Sequence, residues 1–142
     1  MAIATSPADQ LAALLPGSIV TSDWTVKVGQ MTPEPDLVIV FYDTGGIAPN
    51  PKWRLDYLTI MTQVRGGPDD YVSGWQKARQ VRDYLLGITP QTLPSGDRID
   101  GIIILSELTL VTYDDQKRPI FSVNFRIFWE PGDTNLTTRE PL

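Results

Sequence analysis

The tripeptide Asp43-Thr44-Gly45 lies in VIVFYDTGGIAPNP, residues 38–51, directly after an apolar run. This is the tripeptide that carries the catalytic carboxylate of aspartic proteases. Two such carboxylates facing each other share one proton, because like charges that close cannot both ionise. A chain of 142 residues would supply one Asp per subunit, so the enzyme reading is a homodimer with Asp43 as the acid on each side. Little other chemistry is open to the sequence. It contains no His and no Cys, which removes Ser-His-Asp and Cys-His catalysis, thiolate metal sites and disulfides. Only carboxylates, Lys, Tyr and Arg remain, and neither a metal nor a cofactor is expected.

Three features oppose the protease reading. Dimeric aspartic proteases are nearly all β, whereas the most periodic segment here reads as a helix of about five turns. A late strand ending in two apolar residues and a Gly is needed beneath the active-site loop, and the sequence offers only the reverse order, Gly101 before Ile102-Ile103-Ile104. A flap hairpin is also needed, and residues 52–67 read as one long strand. Phosphate binding is disfavoured too, because Gly45-Gly46 leads through Pro49-Asn50-Pro51 into a strand rather than onto a helix N-terminus. The remaining reading is structural: a tight loop at Thr44 to Pro51 in which Asp43 accepts backbone hydrogen bonds and the glycines supply positive φ.

The elements that position this stretch are legible from patterning. Ser6 caps a first helix, Pro7 suits its first turn, Asp9 complements the dipole, and Pro16-Gly17 ends it. A short strand is possible around Trp24-Thr25-Val26. Asp36 to Tyr42 reads as a buried strand and Trp53 to Arg65 as a long one, with Leu58, Ile60, Thr62 and Val64 on one face. Pro68 to Leu86 is the long helix, its apolar residues at helical spacing and Lys77, Arg79, Gln80 and Asp83 facing away. Gly74 inside it is unfavourable by about 1 kcal/mol relative to Ala. Gln91 to Asp97 reads as a polar loop. Ile102 to Tyr113 and Pro119 to Trp129 form a hairpin closed by Asp114-Asp115-Gln116-Lys117. The expectation is an α+β fold: an antiparallel sheet of about four strands, flanked by a long helix and a short N-terminal one. Residues 1–129 form a single domain and 130–142 a flexible polar arm.

Net charge is −5 with 17 acidic and 12 basic side chains, which disfavours a phosphate-binding stripe. The N-terminus has no basic n-region, and Asp9-Gln10 interrupts its apolar stretch, so no signal peptide is read. No run has the length to cross a membrane, and a cytoplasmic product is expected.

The order of these motifs resembles the tail-terminator (tail-completion) proteins of long-tailed bacteriophages, often described as minor capsid or head–tail joining proteins. The resemblance starts with the strand ending Tyr42-Asp43-Thr44-Gly45-Gly46 and Pro49-Asn50-Pro51. It continues through Leu58-Thr59-Ile60-Met61-Thr62-Gln63-Val64-Arg65-Gly66, the helix ending Leu85-Leu86-Gly87, and the strand Phe121-Ser122-Val123-Asn124-Phe125-Arg126. It runs from about residue 36 to residue 129, and the order of motifs carries it rather than any single one.

The resemblance implies a non-enzymatic virion protein, made in the host cytoplasm and placed at the head-proximal end of the tail. Six copies would form a ring on the tail tube protein, stop tube polymerisation and present a surface to the head-completion or neck protein. DNA would pass through the lumen, and no membrane is involved. A head-closure or neck adaptor protein is the alternative within virion assembly, and the Asp43 protease the alternative from another class. Candidate partner or subunit contacts are Tyr42, Asp43, Thr44, Gly45, Gly46, Asn50, Trp53 and Arg65. Trp53, between Lys52 and Arg54, is the candidate exposed anchor. Arg65 pairs either across a subunit interface or within its own chain. Asp114 and Asp115 are lumen candidates, with a solvated turn as the other explanation of both.

Overall fold

The computed structural model describes residues 5–132 and 138–142. The chain runs α1 (Pro7–Leu14), β1 (Thr25–Val28), β2 (Val38–Ile47), β3 (Asp56–Arg65), α2 (Tyr71–Leu86), β4 (Gln91–Thr92), β5 (Arg98–Tyr113) and β6 (Pro119–Glu130). The strands form one curled sheet in the order β1-β2-β3-β6-β5-β4. The class is α+β as expected, but the sheet has six strands rather than about four, and it is mixed, because β1 runs parallel to β2. The extra members are short. β4 is two polar residues with no alternation to read, held against Arg98 and Ile99 by the turn in which the Leu93 N–H donates to the Asp97 carbonyl at 2.7 Å.

Both helices pack on one face. α1 meets β1 and β2, and α2 meets β3, β5 and β6. Ala8 and Leu11 of α1, Ala78, Val81 and Leu85 of α2, and alternate strand residues such as Phe41, Ile60, Phe121 and Phe125 make one buried cluster. Each fully buried Leu, Ile or Phe in it contributes about 1.5–3 kcal/mol. Gly74 has a packing reason: a Cβ there would stand 2.9 Å from Phe121 Cε2 and 3.3 Å from Gly66 Cα, so α2 approaches the sheet only without it.

Two patterning expectations for α2 change. Lys77 does not face away. It is buried, with Nζ donating to the Ile19 carbonyl at 2.8 Å and lying 5.3 Å from the Trp24 ring centre. Its long stem packs while its charge finds acceptors. Val72 and Tyr71, whose helical spacing matches the apolar residues of α2, are exposed in the first turn.

The segment read as a loop from Thr44 to Pro51 is strand as far as Ile47. β2 keeps pairing with β3 through a bulge between Asp43 and Gly46. Gly45 at φ 93° and Gly46 at φ 141° allow this, and Gly46 lies against the Tyr57 carbonyl where no Cβ fits.

Candidate functional site

Asp43 points to the helix side of β2, where its Oδ1 accepts the Ala8 N–H at 3.0 Å. Ser6 Oγ accepts the Asp9 N–H at 3.3 Å beside it. The first turn of α1 therefore has two oxygen caps, one local and one from a strand 35 residues away. Thr44 Oγ1 donates to the Thr59 carbonyl at 2.9 Å and pins the bulge. This carboxylate is a helix cap, satisfying N–H groups that the helix itself leaves free. Among the described residues no group of three or more His, Cys, Asp or Glu side chains could hold a metal ion. No helix among them is long and apolar enough to cross a membrane.

The loop after β2 is ordered by Asn50, whose Oδ1 accepts the N–H groups of Lys52 and Trp53, each at 2.9 Å. Trp53 is exposed, with Lys52 Nζ 4.8 Å from its ring centre. Residues 139 and 140 return to this loop. Arg139 donates to Asp56 Oδ1 at 2.7 Å and to the Asn50 carbonyl at 3.1 Å, and Glu140 bridges Trp53 in parallel. The expectation of an arm at 130–142 falls in part on residues 133–137, which lie outside the described residues. Tyr42 is half-buried, and burial raises its phenol above the ordinary value against a backbone hydrogen bond from Met31.

Arg65 is buried, its Nε donating to the Asp36 carbonyl at 2.9 Å and its Nη2 to the Pro35 carbonyl at 2.6 Å. Arg118, equally buried, donates to the Pro33 carbonyl at 2.7 Å and to Asp36 Oδ1 at 2.9 Å. The two guanidiniums clasp residues 33–36, and Val38 and Val40, which are not part of the helix-side cluster, are fully buried. Asp114 accepts Arg118 Nε at 2.8 Å and the Gln116 and Arg118 N–H groups, so it organises the hairpin turn. Burial pushes its carboxyl up, and the bonds from Arg118 and Gln116 more than offset that, leaving it below the ordinary value. Asp115 is exposed at the tip. The sequence candidates are thus spread over three places: the bulge, the Asn50 loop and the hairpin turn.

A further surface escaped the sequence reading. β4 pairs only with Arg98 and Ile99, so β5 from Gly101 to Tyr113 forms an edge with no partner among the described residues. Ile103, Leu105, Val111 and Tyr113 on it are exposed. The signal was present in IIILSELTLVTY, which is apolar at both alternating positions over much of its length and so has more apolar residues than one covered face can bury. On the opposite side of β5, Glu107 takes a two-pronged bond from Arg82 of α2, both contacts at 2.7 Å, beside Trp75 and Leu108.

The profile of the family described as "Bacteriophage tail terminator protein" matches residues 14–130. No match was found among curated proteins. Among solved structures, a chain from the virion of a native gene transfer agent (GTA) particle superposes with a TM-score of 0.65 at 15% identity, over 87% of this chain and 92% of that one. At that identity the likeness is one of fold.

Proposed function

The chain belongs to the bacteriophage tail terminator protein family, whose members are non-catalytic structural proteins of the virion's tail and neck, and on that premise we propose that six copies close into a ring at the head-proximal end of the tail tube. The ring ends tube growth and offers its other side to the head-completion protein, and DNA passes through its lumen. The observation that carries this reading is the match over residues 14–130, which spans every strand of the sheet. A ring requires unlike surfaces of identical subunits to meet head to tail. The exposed Trp53 loop and the open β5 edge are two such surfaces. Of the lumen candidates, Asp115 is the one whose carboxylate faces solvent, since Asp114 is engaged by Arg118. Carboxylates there keep passing phosphates from binding.

Native mass spectrometry across a wide concentration range, with negative-stain imaging of the same samples, tests this. A six-subunit species seen as a ring with a central hole is expected, alone or on added tail tubes. A stable dimer that never goes further, or a monomer that forms no ring on tubes, overturns it.

A further inference from the structure

The face of the sheet turned away from the helices has a composition unlike the rest of the chain. β3 and β6 lie at its centre, where Thr59 is paired with Arg126 and Met61 with Asn124, and Ile103 of β5 lies on the other side of Arg126. The residues that alternate onto this face between Tyr57 and Arg65, and between Ile120 and Phe128, include no carboxylate, and Glu130, the next outward residue of β6, lies at the end of the sheet beside Arg98. Yet the whole chain carries 17 acids against 12 bases, so the surface beyond this patch is acidic on balance.

Arg126 stands out among the arginines. Its Nε is buried and has no hydrogen-bond partner among the described residues. The ion pairs among those residues use Arg79, Arg82, Arg98, Arg118 and Arg139, and none uses Arg126. The rest of this half-buried guanidinium has no acceptor among the described residues either, and an arriving carboxylate would give its Nη groups a charge-assisted bond. Directly beside it, Ile103 exposes apolar surface, and Leu105 does so two residues further along the unpaired edge of β5.

We propose that this helix-free face is a docking surface for a second copy of the chain, which brings a carboxylate to Arg126 and covers Ile103 and the β5 edge. Charge complementarity selects the occupant: a patch without carboxylates around one cation that has no ion pair meets the acidic remainder of an identical subunit. One arginine is not the basic stripe that binds a phosphate backbone, and phosphates do not cover apolar side chains. The proposal deepens the ring reading by naming a surface for it, and it needs self-association but not the number six.

The absence of cysteine makes the test clean. Asn124→Cys places a single thiol on this face, and Gln80→Cys places one on the exposed side of α2 as a control. On raising the protein concentration, alkylation at position 124 should slow about tenfold as the face is covered in about nine-tenths of the molecules, while position 80 is unchanged. Arg126→Glu should weaken self-association by at least about a hundredfold, the larger part of it from the reversed charge, and Arg126→Gln by about tenfold. The far-ultraviolet spectrum should not change, and if Arg126→Glu fails to fold, Arg126→Gln and the thiol labelling decide. A ring that persists in the Arg126 variants with position 124 still reactive overturns this proposal and leaves the ring reading intact. An oligomer of another size that Arg126→Glu dissolves supports the proposal and refutes the ring. A monomer at every concentration overturns it, as does protection of position 124 in dilute protein by a short DNA duplex.

Discussion

Replacing Asp43 separates a structural carboxylate from a catalytic one. α1 has only eight residues, too few to persist in water without tertiary support. Its N-terminus depends on Ser6 and on Asp43, whose Oδ1 is 3.0 Å from the Ala8 nitrogen. A hydrogen bond to a charged group contributes about 1.5–3 kcal/mol. Asp43 is exposed, so water replaces part of that. Asp43→Ala should therefore cost about 1–2 kcal/mol, the upper range of a lost helix cap. Asp43→Asn keeps an oxygen acceptor and loses the charge, for about half as much. In a domain of this length the Ala loss corresponds to roughly 3–8 °C in Tm. Urea unfolding followed by tryptophan fluorescence reads it, and Ser6→Ala in combination should show coupling, because both oxygens serve one helix end. No peptidase activity should be present in any of these proteins. An unchanged midpoint in Asp43→Ala, or a peptidase activity in the parent that disappears in Asp43→Asn, would refute the reasoning.

Gly46→Ala should cost about 2–4 kcal/mol, because the added Cβ meets the Tyr57 backbone at a positive φ, while Gly45→Ala, open on all sides, should cost about 1–2 kcal/mol of backbone strain alone; denaturant midpoints compare them. Arg65→Lys should destabilise the subunit by about 2–3 kcal/mol even when dilute, since an ammonium cannot reach the carbonyls of both Pro35 and Asp36; a loss seen only in assembled protein would instead place Arg65 across an interface. Glu130, raised to about 7 by its hydrogen bond with the Asp100 carboxyl and then by burial, holds its proton more tightly folded than unfolded. Stability should therefore fall as pH rises from about 4.5 to about 7, and Glu130→Gln should flatten that part of a Tm–pH profile.

What the sequence made legible followed from strong periodicity. α2 and β6 were readable because each places large apolar residues at one repeat over many residues, and β5 because a long apolar run ends in the polar turn before β6. The Ser6 cap and the stop after Leu86 followed from local chemistry. The end of β2 was not legible, because Gly45-Gly46 and the prolines after it signal a turn equally well, and only pairing with Leu58 and Tyr57 keeps the chain extended. The partners of Asp43 and Arg65 were equally hidden. They are Ala8 and the carbonyls of Pro35 and Asp36, contacts between distant segments that no local pattern encodes. Lys77 was misplaced because a helical repeat counts it as polar, while its long stem reaches the carbonyl of Ile19. Arg126 read as an ordinary outward residue of an alternating strand, and only its missing acceptor distinguishes it.

The pairing of β3 with β6 has a consequence for how the protein is made. Asp56 to Arg65 are matched with Ile120 to Trp129, so the middle of the sheet joins two segments far apart in the chain. As the polypeptide leaves the ribosome, β1, β2 and β3 can associate early, but one side of β3 and the floor beneath α2 stay open until β6 emerges. Closing that gap is a long-range step, slow compared with hairpin formation and dependent on nearly complete synthesis. Phe121, Phe125 and Trp129 arrive together in that last strand and bring much of the core's aromatic bulk. A chain cut short before β6 therefore lacks both a closed core and Arg126, so an incomplete subunit has no finished surface with which to enter an assembly.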